Sequence, residues 1–338
     1  MLKFLSRSQR YVVRTGLVLL ASTQLYALPL SSAYAADTWP QKNISVVVPF
    51  AAGGVTDIIG RMLADGLAKE HPETNVVVEN IVGGASIPAV LSVMRDGGSG
   101  SKIIMASDTP LFINQHAFTK QSYNPEKDLA GVTMLYRTPH SFSINASSEH
   151  KTFDDFVNHI KQNPGKVMVG INVIGGVAHL GLERWKKANN LDFEIVPYKG
   201  GGVQAVADLI GDHIHAHVDV LGNAIPFAAG GKTKILAVLQ NTKFDDLPGA
   251  EPQDEKNPLD LTVPSVLVLA VNGETSKEKI DSIYASIKKV TEQGDFAEKM
   301  KDLKFELVVS TPEETKQMRD QLAKEIKAMY EVSGLTPN

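Results

Sequence analysis

The chain has 338 residues, of which 38 are acidic, 34 basic and nine histidine, with no cysteine and a formal net charge of −4. That balance argues against nucleic acid or an anionic membrane surface as a partner, and the missing cysteine excludes a disulfide scaffold and any thiol nucleophile. A chain of this size can build ordinary hydrophobic cores, in two domains or one large one.

Lys3, Arg7, Arg10 and Arg14 form a basic start without an acid, an apolar run extends from Gly16 towards Leu30, and Ala33-Tyr34-Ala35 closes the segment. This is the pattern of a secretory signal, so residues 1–35 are expected to be cleaved near Ala35 on export to the periplasm. A retained anchoring helix is the weaker alternative, because Ser22, Thr23, Gln24 and Pro29 interrupt a run that would need about 20 apolar residues. Loss of the four basic residues takes the formal charge from −4 to −8. Any preference for an anion must then be local.

Residues 46–50 read as a strand, and 57–69 as a helix with Ile58, Ile59, Met62, Leu63 and Leu67 on one face and His71-Pro72 as its stop. Strands at 75–79 and 102–106 follow, separated by a Gly83-Gly84 turn and a short helix to Met94. Continuous apolar strands between helices predict mixed, mostly parallel sheets covered on both faces. After strands at 132–136 and 141–145, Thr152 caps a helix over 153–162 that Pro164-Gly165 ends. A strand at 166–170 leads through the Gly175-Gly176 loop into a helix over 179–189, then a strand at 193–197. Gly200-Gly201-Gly202 opens a helix to Ile210, and strands at 213–220 and 234–239 flank a short helix. The polar, proline-rich stretch 242–260 reads as a connection before a strand at 264–271. Thr275 and the capping signature Thr311-Pro312-Glu313-Glu314 start the last helices, the second running to about Val332.

Two alternating blocks predict an α/β protein of two lobes, the first formed by 36–140 plus 250–338 and the second by 141–249. Ligands in such sheets sit beyond the carboxyl ends of the strands, so the turns after Phe50 and Gly170 should face each other across a cleft. Each turn runs from a strand into a helix start, where free N–H groups and the positive helix end suit an anion. Neither 49–57 nor 170–180 contains lysine or arginine. A carboxylate held there would depend on N–H groups and helix ends, each worth about 0.3–1 kcal/mol.

Several motifs occur in order: Trp39-Pro40, Val48-Pro49-Phe50 with Gly53-Gly54 and Asp57, a Val-Val-Val-Glu-Asn strand at 76–80, Gly175-Gly176 through His179-Leu180, Val-Pro-Tyr-Lys-Gly at 196–200, and Asp208-Leu209-Ile210-Gly211. Together they resemble the substrate-binding proteins of tripartite tricarboxylate transporters, the Bug family, over roughly residues 39–240. The chain departs from the family pattern at Ile81-Val82, at 96–100, at 265–271, and at Asn172, where a serine is usual. The resemblance implies a two-lobed, periplasmic-binding-protein-like (Venus flytrap) fold with a hinge crossed more than once. It also implies a small di-, tri- or aromatic carboxylate held between the lobes by backbone N–H groups, hydroxyls and waters, and membrane permease subunits as partners.

The candidate ligand-binding residues are Phe50, Ala52, Gly53, Gly54, Thr56 and Asp57 in the first turn, Asn172, Gly175, Gly176 and His179 in the second, and Tyr198 and Lys199 in the third. Each has a plainer reading. Asp57 can cap its helix instead of binding an amino group or a water, Lys199 can be a solvated loop residue, Tyr198 can simply pack, and His179 reads first as a helix-packing histidine. Valine at Gly54 or Gly175 should abolish binding and leave the chain folded.

A different chemistry is offered by His213, His215 and His217, which would share one face of a strand with Asp219 and could ligate zinc or copper. An exported metal-dependent hydrolase is therefore one alternative, and a ligand-loaded sensor component docking on a membrane kinase is another. The favoured expectation is a monomeric, non-enzymatic binding protein without metal or cofactor. No Gly-x-Ser-x-Gly elbow, His-Glu-x-x-His pair or phosphate loop is present.

Overall fold

The computed structural model describes residues 39–198, 202–240, 243–247, 249–253 and 263–335. The expected signal, Lys199 with its neighbouring Gly200 and Gly201, and much of the 242–260 connection lie outside the described residues.

Among the described residues twelve strands are formed: β1 (Asn43–Val48), β2 (Asn75–Asn80), β3 (Lys102–Ser107), β4 (Leu129–Thr138), β5 (His140–Asn145), β6 (Met168–Ile171), β7 (Glu194–Pro197), β8 (Ala216–Val220), β9 (Thr233–Val238), β10 (Glu251–Pro252), β11 (Ser265–Asn272) and β12 (Glu306–Leu307). They build two six-stranded sheets, in the orders β12-β4-β11-β3-β1-β2 and β10-β9-β5-β8-β6-β7. The same scheme is used twice. β1 pairs in parallel with β2 and β3, and β6 pairs in parallel with β7 and β8. β3 then meets β11, and β8 meets β5, in antiparallel fashion. Among the described residues five pairings are parallel and five antiparallel, so the sheets are mixed without the parallel majority expected. The reason is that β4, β5 and β11 shuttle the chain between the sheets and enter each one against its neighbours.

The first sheet draws on residues 43–138 and 265–307 and the second on 140–252. Pro139 alone separates β4 of one sheet from β5 of the other. β11 lies inside the first sheet with all eight residues buried, which explains the unbroken apolar run 266–271 between Ser265 and Asn272. The helix Val55–Glu70 turns Ile59, Leu63 and Leu67 onto that sheet. In the second sheet, the helix Phe153–Gln162 starts at a reciprocal Thr152–Asp155 capping box and buries Phe153, Phe156 and Ile160. The closing helix Pro312–Ser333 has a second such box, Thr311–Glu314. Its Leu322, Ile326 and Tyr330 join a core cluster that contains both Ile104 of the first sheet and Phe142 of the second. No helix of the described residues is long and apolar enough to cross a membrane.

Two local readings change. The helix expected from Thr275 is capped by Ser276, whose hydroxyl accepts from the Lys279 N–H. The strand expected over 213–220 begins only at Ala216. Asp212 adopts a left-handed φ of 57°, and the His213 N–H donates to the Asp208 carbonyl, so the preceding helix ends in a turn. His213 and His215 are consequently exposed and His217 buried, and the three do not share a face. The His215 ring is engaged separately, its Nδ1 accepting from the Met168 N–H.

Candidate functional site

The two glycine turns share one local design. Gly53 and Gly175 both have positive φ, +85° and +75°, which glycine adopts without steric cost. In each, the glycine N–H donates four residues ahead, from Gly53 to Asp57 Oδ2 at 2.9 Å and from Gly175 to His179 Nδ1 at 2.8 Å. In each, the next glycine is the N-cap: Gly54 for the helix Val55–Glu70 and Gly176 for the helix Val177–Asn189, both in extended conformation and neither with a side-chain cap. A helix start without a capping side chain leaves first-turn N–H groups for water or a ligand.

Both helix starts open on one cavity of about 230 Å³. Its wall includes Phe50, Gly53, Gly54 and Thr56 from the first turn, and Asn172 and Gly176 from the second. Ala52, Asp57, Gly175, His179 and Tyr198 are not on that wall. Their positions have physical causes. Asp57 is buried, with its oxygens taken by the Gly53 N–H, by Arg61 through Nε and Nη2, and by Asn80 Nδ2. Burial alone would raise its pKa, but those bonds outweigh burial and hold the carboxyl below its ordinary range. His179 closes its own loop and lies 3.7 Å from Glu183, and burial pushes its pKa down. Tyr198 donates to Asp208 Oδ2 at 2.7 Å and packs against Leu209 and Ile214. Lys199 lies outside the described residues.

The cavity also gathers Ser107, Asp108, Tyr136, His140, Asn223 and Ser265, which the sequence reading did not single out, and Asp219, which it placed only with the candidate metal-binding histidines. Asp108 follows the end of β3 and Asp219 is the penultimate residue of β8. The two aspartates thus come from equivalent strands of the two sheets, at their carboxyl ends. That position is the signal that was available in the sequence. Burial pushes Asp108 up to about 6, against bonds from Thr109 and Ser265. It pushes Asp219 up to about 6 as well, against bonds from Asn223, Val220 and Asn172. Burial lowers His140 to about 4, so its ring is neutral near pH 7. The Tyr136 hydroxyl is raised first by burial and further by the charges of Asp108 and Asp219, while a bond to Thr56 opposes the rise.

Asn172 links two buried groups. Its amide donates to Asp219 Oδ1 at 2.5 Å, and its oxygen lies 3.0 Å from His217 Nε2, which must then carry the ring proton. His217 is lowered to about 4 by burial, well away from the titration near pH 6.5 that an exposed histidine would show. Among the described residues no group of three metal-ligating side chains converges.

The two glycine loops respond differently to a side chain. At Gly54, with φ of −75°, a Cβ would lie 3.5 Å from the Ala51 carbonyl and 4.0 Å from Val203 across the cavity mouth. At Gly175 it would adopt a left-handed φ and stand 2.5 Å from Tyr330 Oη on the closing helix. Gly54→Val should therefore fold like the wild type and lose binding, whereas Gly175→Val should lose about 2–4 kcal/mol of stability through strain and collision. Thermal melting of both variants checks this, and equal melting points would refute the distinction. The expectation that both variants stay equally folded is thus corrected for Gly175.

A family described as Tripartite tricarboxylate transporter family receptor (TctC) matches residues 59–335. BugT of Bordetella pertussis is 26% identical over 250 residues, which cover 73% of this chain and 76% of BugT. Rpa4515 of R. palustris, solved with adipate, superposes with a TM-score of 0.80 at 20% identity over 89% of this chain and 100% of that one. MatC of Rhodopseudomonas palustris, solved with bound malate, gives 0.76 at 21% identity over 86% and 100%. At those identities the two structures speak to the fold, and it is the match over residues 59–335 that settles kinship: the chain belongs to the tripartite tricarboxylate transporter family of receptors.

Proposed function

We propose that the protein is a periplasmic solute receptor that captures a small carboxylate and delivers it to the membrane permease subunits of a tripartite transporter. The observation that carries this reading is the pair of helix starts without side-chain caps, one from each sheet system, facing a single cavity. A carboxylate oxygen supplies the acceptor that each helix start lacks, and charge-assisted bonds to N–H groups are stronger than neutral ones. Adipate and malate in the two structural relatives are of the same chemical class. Residues 1–35 act as the export signal in this reading, the receptor works as a monomer, and no metal or cofactor takes part.

The test is a melting screen of the purified mature chain against mono-, di-, tri- and aromatic carboxylates. A true ligand at 100 times its Kd should stabilise the protein by about 2.7 kcal/mol, visible as a concentration-dependent rise in Tm. No rise with any carboxylate would remove the reading.

A further inference from the structure

The cavity wall holds two aspartates and, among the described residues, neither lysine nor arginine. A plain dicarboxylate would therefore meet two aspartates there and, among the described residues, no lysine or arginine of the wall to offset its charge. The two aspartates are not equivalent. Asp219 is occupied by three donors, Asn172 Nδ2, Asn223 Nδ2 and the Val220 N–H, at 2.5–2.7 Å. Asp108 is only 8% exposed, and apart from backbone N–H groups at Thr109 and its own residue, its partner is the Ser265 hydroxyl at 3.4 Å, a long contact. Beside it the Ser107 hydroxyl has no partner, and His140 Nδ1 is buried without one. β11 brings these groups together, since Ser265 pairs with Thr138, two residues before His140, and Leu267 pairs with Ser107. One side of the cavity thus places a buried carboxylate without a cationic partner beside two unpartnered polar atoms, Ser107 Oγ and His140 Nδ1, while the helix starts offer donors in want of an acceptor.

We infer that the natural ligand is an amino acid, with its carboxylate at the helix starts and its protonated amine on Asp108, assisted by Ser107 and His140. This rests on the receptor reading above and narrows it from carboxylates at large to carboxylates that carry a cationic nitrogen. A buried carboxylate with no cation beside it is costly, and an ammonium group both neutralises it and supplies up to three N–H donors. Asp108 is then the residue that determines specificity.

The test uses calorimetric titration of the mature chain at pH 7.5 with pairs that differ only by the amine: aspartate and succinate, glutamate and glutarate, leucine and 4-methylpentanoate. The wild type should bind the amino member of at least one pair tenfold or more tightly than its partner. Asp108→Asn, which keeps the shape and removes the charge, should erase at least tenfold of that preference. Equal or tighter binding of the amine-free partners by the wild type would overturn the inference and leave the receptor reading intact. An unchanged preference in Asp108→Asn would overturn it too. Should the variant fail to fold, the pairwise comparison on the wild type decides alone. If no carboxylate of either kind binds, the receptor reading itself falls.

Discussion

Truncating Trp185 to alanine should lower the stability of the protein by about 3–5 kcal/mol, the range measured for large aromatic deletions in packed cores. Trp185 is 1% exposed and sits at the hub of the second sheet's core. Its ring lies 5.7 Å from Phe153, 5.6 Å from Phe193 and 6.5 Å from Phe142, centroid to centroid. Those neighbours arise from a strand, a helix and the link before β7, so local collapse cannot fill the space from one side. Urea unfolding monitored by circular dichroism provides the measurement. A loss below about 1 kcal/mol would mean that the hub is not shared in this way.

Asp219 should give the second large effect, with opposite outcomes for two substitutions. Asp219→Ala strips the acceptor from Asn172, Asn223 and the Val220 N–H, and each buried donor left unmade costs about 1–3 kcal/mol. We expect a total loss of about 2–4 kcal/mol, because solvent entering the cavity can satisfy part of the set. In Asp219→Asn the oxygen in place of Oδ1 keeps two of the three bonds, and Asn223 can rotate its amide to accept from the new N–H. That variant should fold like the wild type but differ in pH response. Since burial raises the folded-state pKa of Asp219 to about 6, the folded chain keeps a proton that the unfolded chain releases above 3.8. The associated stability is present below pH 3.8 and is lost as pH rises through about 6. Relative to Asp219→Asn, the wild type should lose on the order of 3 kcal/mol between pH 4 and pH 7. Parallel stability–pH curves for the two proteins would show that the carboxyl is not buried as described.

Much of the architecture could be read from local chemistry. Thr152 and Thr311 mark their helix starts because a capping box is decided by four consecutive residues. The apolar run 266–271 inside β11 and the alternation of strands and helices pointed to the two-lobed α/β class in the same way. What could not be read depends on long-range or competing contacts. The histidine stretch has the alternation of a strand, but Asp212 in the left-handed region and the His213–Asp208 bond keep its first part in a turn. The segment Thr109–Ile113 forms a π-helical turn that has no 3.6-residue pattern to reveal it.

At the site, glycine turns and helix starts were legible, whereas the internal use of their N–H groups was not. Gly53 and Gly175 each spend the N–H on a side chain four residues ahead, so the helix starts beyond them, and not the glycine N–H groups themselves, face the cavity. Asp108, His140 and Asp219 converge from segments more than 30 residues apart in sequence, and only the pairing of β11 with β3 and β4, and of β5 with β8, brings them to one place.

The single residue between β4 and β5 gives the molecule a joint with little torsional slack. Proline fixes its own φ and has no N–H, and the Pro139 carbonyl is held by the Leu221 N–H at 2.8 Å. The next residue, His140, is part of the cavity wall. In the receptor reading, a solute that contacts His140 contacts the residue next to this crossing, so filling the cavity would load the joint between the two sheets directly.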